Sequence, residues 1–355
     1  MGKTDGKDCR AESEGYCEVK LAILGTGFIV KEGALEALKY VPEIEVAAIY
    51  ARPSSREKAD RLAAVYGISL VYTDYNKLLN NTEIDFVYIG LVNNVHYEYA
   101  KRAIMSGKHV IVEKPFASTA REVEELRALA FANKIYIFEA VPLLYMPNFR
   151  AVKELLPSIG QIRAVMANYS QYSSRYDKYL AGEVLPTFSP RNSAGSLYDI
   201  NIYNINFIVA LFGLPDEVDY TANIGFNGID TSGIVTLSYQ GFFAVALGAK
   251  DSDSPSFITV QGEKGWIRAI GTPNEFSALE IFRHGDVCPA KIEQNQYEHR
   301  MVHEFKSFAE IFHHGEYERM KQGLDVSVNV IKVAEKARKK AKIIFCSDEE
   351  QQVKC

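Results

Sequence analysis

Val19-Lys-Leu-Ala-Ile-Leu-Gly25-Thr-Gly27-Phe-Ile-Val30 joins a short apolar run to two closely spaced glycines, and helical spacing then continues to Tyr40. A strand that turns sharply into a helix needs such residues. Gly25 permits the tight turn, and Gly27 lets a ligand approach backbone N–H groups at the helix start. The residues around that turn, Gly25, Thr26, Gly27, Phe28 and Ile29, are the first candidates for ligand contact. The third position of a dinucleotide fingerprint should be Gly or Ala and is Val30 here, so the motif is incomplete. A glycine turn without a ligand is the competing reading, and the surrounding pattern favours a dinucleotide site over it.

Outward from this unit the same rhythm repeats. Apolar runs at Ile44–Tyr50, Leu70–Tyr72, Phe86–Gly90, His109–Val112 and Ile135–Phe138 alternate with helical stretches that begin near Ser54, Asp74, Val95 and Thr119. Short strands alternating with helices predict a doubly wound parallel sheet covered on both faces, spanning 18–140. Beyond it the order changes. A helix at 148–156 and a strand from Ile162 to Ser170 lead to an apolar helix at 196–212, then to strands at 216–224, 231–239, 242–249, 256–261, 265–270 and 278–282. Consecutive strands predict an α+β domain over 141–345 with a large open, mostly antiparallel sheet, closed by helices near 297–314 and 326–343. Residues 1–17 and 346–355 are polar and aperiodic and are read as tails.

The composition fits a folded chain. Of 355 residues, 47% are hydrophobic and 24% charged, and 40 basic against 45 acidic residues give a net charge of −5. That balance argues against a nucleic-acid partner, and no apolar run approaches the roughly 20 residues a membrane span requires. Five scattered cysteines without a CxxC, and no apolar leader, point to a reducing cytoplasm and against a disulfide or zinc framework. His299 and His303 stand four apart without a third ligand, so no metal is expected. The run Lys336-Ala-Arg338-Lys-Lys-Ala-Lys342 is read as a solvated helix face.

The second apolar run ends in Tyr50-Ala51-Arg52-Pro53-Ser54-Ser55-Arg56. A carboxylate there would hold a ribose 2′-hydroxyl, and none is present; Glu45 falls at the wrong end of the strand. Arg52, Ser54 and Arg56, beside Ala51, suit a 2′-phosphate, which favours NADP over NAD. The bland alternative is a pair of solvated arginines at the start of a helix. The fifth strand runs into Glu113-Lys114-Pro115. Ligands bind beyond the carboxyl ends of such strands, which places Lys114 at the crevice.

These residues resemble the Gfo/Idh/MocA family of NAD(P)-dependent oxidoreductases from about Val19 to 345. The matching pieces are Gly25-Thr-Gly27, Asn93-Asn-Val-His96, Glu113-Lys114-Pro115 and Ala194-Gly-Ser-Leu-Tyr-Asp199-Ile-Asn201-Ile-Tyr203. The resemblance implies a Rossmann domain followed by an open-sheet domain, and a homodimer or homotetramer built through that sheet. It also implies that Asn93 contacts the cofactor with His96 and Glu113 near it. A helix-capping asparagine and a satisfied buried histidine are the plain readings of Asn93 and His96. Most members carry Asp-x-Gly-x-His where this chain has Asp199-Ile-Asn201-Ile-Tyr203. Tyrosine at that point is similar to the dihydrodiol dehydrogenase and NADP-dependent D-xylose dehydrogenase branch, whose intervening Trp and Arg are Pro142 and Leu144 here.

Asp199 and Tyr203 are four apart on a predicted helix and so share a face. A phenol with a reference pKa of about 10 is a weak base, and a nearby lysine would lower that value. Tyr203 is therefore expected to take the proton of a substrate hydroxyl, Lys114 to tune it, and Asp199 to orient the pair or meet a second hydroxyl. The alternative is that Asp199 and Tyr203 are only the polar edge of a core helix. Tyr172, Arg175 and Tyr176, with Tyr169 and Tyr179, suit either a sugar, polyol or cyclic diol substrate or a subunit contact. A non-catalytic NADP-binding sensor on the same fold is the rival function, with no chemical need of Lys114. An inositol or sugar-nucleotide dehydrogenase is a third reading, against which Tyr203 counts.

Overall fold

A computed structural model describes residues 18–348, so the expected tail at 1–17 lies outside the described residues. Six strands, β1 (Val19–Leu24), β2 (Ile44–Tyr50), β3 (Leu70–Tyr72), β4 (Phe86–Ile89), β5 (His109–Glu113) and β6 (Ile137–Ala140), form one sheet. Its order is β3-β2-β1-β4-β5-β6, and every pair is parallel. The strand order reverses between β1 and β4, which opens a crevice at their carboxyl ends. Val87, Tyr88 and Ile89 in β4 are all fully buried, as helices on both faces require.

The second sheet has eight strands: β7 (Ile162–Ser170), β8 (Glu217–Ile224), β9 (Asp230–Tyr239), β10 (Phe242–Ala249), β11 (Phe257–Gly262), β12 (Gly265–Ile270), β13 (Ala278–Arg283) and β14 (Ala290–Ile292). The order is β14-β13-β12-β11-β7-β10-β9-β8, antiparallel throughout except for the central β7–β10 pair. The edge strand β14 is three residues long and has too little periodicity to be seen in the sequence. One face carries the apolar helix Ile202–Phe212. The helix Tyr317–Lys340 packs against that helix, against Ala120–Asn133 and against β6, and so ties the two sheets together.

Three local expectations change. The first helix opens as a wide π turn, Ile29–Ala34, before a short α segment, Leu35–Leu38. The helix expected from residue 196 likewise begins with a π turn, Leu197–Asn201. Arg338 is not on a solvated face: it is fully buried, donates to the Ile343 carbonyl and to both carboxylate oxygens of Asp348, and lies over the Phe345 ring. The turn Cys346–Asp348 is therefore docked on the body of the domain, and only 349–355 of the expected tail lie outside the described residues.

Candidate active site

The β1 turn is shaped for close backbone approach. Gly25 has φ +111°, and a Cβ there would lie 2.5 Å from the Gly90 carbonyl oxygen, so only glycine fits. Its N–H donates to the Tyr50 carbonyl at 2.9 Å, which joins the ends of β1 and β2. A Cβ on Gly27 would meet nothing within 4 Å, which leaves its exposed backbone open to the crevice. Phe28 is 70% exposed beside it. At the end of β2, Ala51 is buried with its N–H taken by the Tyr72 carbonyl, while Arg52 and Ser54 are exposed. Arg56 is also exposed but already paired, its Nε donating to both oxygens of Asp60. A cradle of glycine backbone followed by free-standing guanidinium and hydroxyl groups fits a dinucleotide with a 2′-phosphate.

Lys114 projects from the end of β5 toward the second domain. Its Nζ donates to the Asp199 carbonyl at 2.7 Å and to Asp199 Oδ1 at 3.1 Å, and lies 5.0 Å from the centre of the Tyr203 ring. Asp199 sits in the π turn and Tyr203 in the first turn of the following α-helix, so the change of helix type has not separated them. That helix start is held from the second sheet. Asp230 at the beginning of β9 accepts from the Leu197 N–H and from the Tyr220 hydroxyl. Asn201, fully buried, donates to the Ala246 carbonyl, and Gly248 leaves the room that a Cβ would take from it. The side chain at 201 thus bonds the helix to β10.

The electrostatics amend one expectation. Burial holds the Tyr203 hydroxyl above the ordinary phenol range, although Lys114 and Arg300 pull it down. Tyr203 is a phenol at neutral pH in the protein alone, and the predicted net lowering by lysine is outweighed. For Lys114, burial opposes the charged form, but Asp199, joined by Tyr203 once that phenol ionises, more than compensates and keeps it an ammonium. Asp199 is held well below the usual carboxylate range: burial would raise it, and Lys250 and Lys114 overcome that.

Comparison with known proteins identifies the family. Residues 19–139 match the oxidoreductase family with an NAD-binding Rossmann fold, and residues 149–268 match the GFO/IDH/MocA C-terminal domain. The chain is 35% identical over 331 residues to the scyllo-inositol 2-dehydrogenase (NADP(+)) IolU of Bacillus subtilis, covering 93% of this chain and 99% of that protein. This chain belongs to the Gfo/Idh/MocA family. It is an NAD(P)-dependent oxidoreductase of that family. It is also 26% identical over 250 residues to the trans-1,2-dihydrobenzene-1,2-diol dehydrogenase of Xenopus tropicalis, covering 69% of this chain and 72% of that one. The same fold appears in the 3-ketoreductase KijD10 of Actinomadura kijaniata, with a TM-score of 0.79 at 21% identity over 91% of this chain and 98% of the other.

Within this Gfo/Idh/MocA fold the other predicted residues fall into groups. Asn93 donates to the Ser193 carbonyl at 2.9 Å and so bridges the two domains at the crevice. His96 is fully buried, with one ring nitrogen on the Pro115 carbonyl and the other near that of Leu91. It supports the Lys114–Pro115 turn from behind. Glu113 is also buried and accepts from the Tyr88 hydroxyl, so its side chain is scaffold. Tyr169 lies 6.1 Å from Tyr203 between ring centres. Tyr172, Arg175 and Tyr176 make no contact with Lys114, Asp199 or Tyr203. Tyr172 bonds Asp177, and Tyr176 packs on Tyr179 and Phe188. His299 reaches the Glu32 carbonyl, and among the described residues no group of three His, Cys, Asp or Glu is placed to hold a metal.

Two charged residues were missed by the sequence reading. Arg300, just before the helix Met301–His313, donates to Glu275 at 3.4 Å, and Tyr203, Glu275 and Tyr169 all favour its charged form against the burial that opposes it. Lys250, which follows β10, donates to Asp199 Oδ2 at 2.6 Å and to the Thr187 carbonyl at 2.8 Å. A lysine directly after an apolar strand was the only signal for the latter, and its partner is 51 residues away.

Proposed function

We propose that this protein is an NADP-dependent oxidoreductase that interconverts a secondary alcohol of a cyclic polyol, sugar or diol with its carbonyl. The observation that carries the reading is the Lys114 ammonium, bonded to Asp199 and set over the Tyr203 ring where the crevice of one domain meets the other. When bound, the nicotinamide supplies or accepts the hydride. The chain's residues handle the oxygen and its proton. In reduction, Lys114 donates a hydrogen bond to the carbonyl oxygen and Tyr203, a phenol at neutral pH, gives it the proton. In oxidation the same tyrosine takes that proton after losing its own. Asp199 keeps Lys114 charged and aimed.

The choice of NADP is supported by Arg52 and Ser54, with no carboxylate at the end of β2, and by a relative named for NADP(+). The inositol reading, which Tyr203 had counted against, gains from that same relative, so a cyclic polyol is the first substrate to try. A sensor is not favoured, because Lys114, Asp199 and Tyr203 converge as a proton-handling set. Subunits are proposed to pair through the open face of the second sheet. The register puts Met166, Phe243, Trp266 and Phe282 on that one face, and Phe243 is 55% exposed.

The test is nicotinamide absorbance with NADP⁺ or NAD⁺ and a panel of inositols, aldoses, polyols and a trans-dihydrodiol. Turnover with NADP⁺ that is lost in Lys114→Met supports the reading. Tight NADP⁺ binding without turnover across the panel speaks for the sensor.

A further inference from the structure

Lys250 is buried at a point where its charge has a specific use. Its backbone is held on both sides, with its N–H donating to the Thr231 carbonyl and its carbonyl accepting from the Ser173 N–H, each at 2.9 Å. Its side chain is 3% exposed, and Nζ lies 4.3 Å from the centre of the Phe188 ring in addition to the bonds to Asp199 and Thr187. The Asp199 carboxylate therefore bridges two ammonium groups, Oδ1 to Lys114 and Oδ2 to Lys250. One buried lysine would have sufficed to neutralise one aspartate. Burying a second cation is costly unless its charge is used.

We propose, on the functional reading above, that Lys250 is a positioning residue of the catalytic centre. It locks Asp199 toward Lys114 and leaves the three groups with a net positive charge, so that negative charge developing on the reacting oxygen or on Tyr203 meets an uncompensated cation. Without Lys250, Asp199 would cancel Lys114 and be free to rotate about its side-chain bonds.

The groups acting on Tyr203 are Lys114, Arg300, Glu113 and Asp199, with Tyr169 and Tyr88 beside it. Those acting on Lys250 are Asp199, Lys114 and Asp230. Glu113 and Asp230 are buried, and burial shifts both carboxyls toward the neutral form. Lys114 and Lys250 thus face the one carboxylate, Asp199, that is held ionised between them, while Arg300 pairs with Glu275.

The experiment uses the full chain and three variants, Lys250→Met, Lys250→Gln and Lys250→Arg, each checked by thermal unfolding. The first readout needs no turnover: Tyr203 is titrated by NMR of protein carrying ¹³Cζ-tyrosine, its resonance assigned with Tyr203→Phe. The second is the pH profile of kcat for oxidation, with NADP⁺ affinity measured by fluorescence. In Gln, which keeps a donor but no charge, and in Met, the Tyr203 midpoint should rise by about one pH unit and the kcat limb move with it. NADP⁺ affinity should stay within twofold, and Arg should restore most of the wild-type profile. If Met does not fold, Gln and Arg carry the comparison. A Gln variant with the wild-type titration would overturn the proposal, since a purely structural lysine would leave Tyr203 unmoved. Wild-type protein that turns nothing over, or Lys114→Met that keeps its turnover, would instead overturn the functional reading, and the titration would still report on Lys250.

Discussion

Val30 fills the space that glycine leaves at position 90: a Cβ on Gly90 would lie 2.6 Å from Val30 Cγ2 and 3.0 Å from the Tyr88 ring. The close packing that a third glycine usually gives to the first helix is here achieved from β4. Gly90→Ala should therefore overpack the junction and destabilise the protein by about 1–3 kcal/mol. Adding Val30→Ala should recover part of that loss. Urea unfolding of Gly90→Ala, Val30→Ala and the double variant decides the point, and additivity of the two changes would refute the coupling.

Arg52 stands exposed at the end of β2, whereas Arg56 is engaged with Asp60. Arg52→Ala should raise the KM for NADP⁺ by about tenfold or more, the worth of one charge-assisted hydrogen bond, and leave NAD⁺ almost unaffected. Arg56→Ala should do less. Steady-state kinetics with both nucleotides separates the two arginines.

Tyr203 is held above the phenol range by burial, so the two reaction directions should differ in their pH dependence. Reduction needs the phenol and should be flat from neutral pH to about 9. Oxidation needs the phenolate and should climb towards tenfold per pH unit over the same interval. Tyr203→Phe should lower both by about 10²–10⁴-fold and remove the slope. Initial rates in the two directions, measured on one enzyme preparation, test this.

Burial raises the Glu139 carboxyl from the ordinary 4.5 to about 7, although its Oε1 accepts from the Phe116 N–H. Below 4.5 the group is protonated in folded and unfolded chains alike and has no effect on stability. Between 4.5 and about 7 the unfolded chain releases the proton first, so stability falls as pH rises, by at most about 1.4 kcal/mol per pH unit. Glu139→Gln keeps the acceptor and should flatten that part of the Tm-against-pH curve. Equal slopes in the two proteins would show that Glu139 is not the group responsible.

Phe243 stands on the open face of the second sheet. Phe243→Asp should convert an oligomer to monomer in sedimentation velocity while leaving the far-UV CD spectrum unchanged. A wild-type monomer at micromolar concentration would contradict the proposed pairing.

The first domain was legible because each of its strands is a short apolar run bounded by turn residues, and its parallel order follows from the alternation with helices. The Lys114–Asp199–Tyr203 grouping was legible mainly through motif resemblance. Residue spacing alone could not say that Asp199 would lie in a π turn and still face the same partner. Lys250 and Arg300 were missed because pairing across 51 and 25 residues leaves at most a weak local trace, a lysine after an apolar strand in the first case. The environment of Tyr203 was also beyond reach: a sequence names the neighbouring lysine and not the apolar packing that opposes it.

The proposed reacting set is divided between two sheets: Lys114 ends a strand of the first, and Asp199 is held by Lys250, Asn201 and Asp230 against the second. The proposed nucleotide grip thus lies in the first domain, whereas proton handling is shared between the two. Changes along β10, or in the turn 197–201, can retune which alcohol reacts while the Gly25 cradle stays as it is. A fold wired in this way can diversify its chemistry one half at a time.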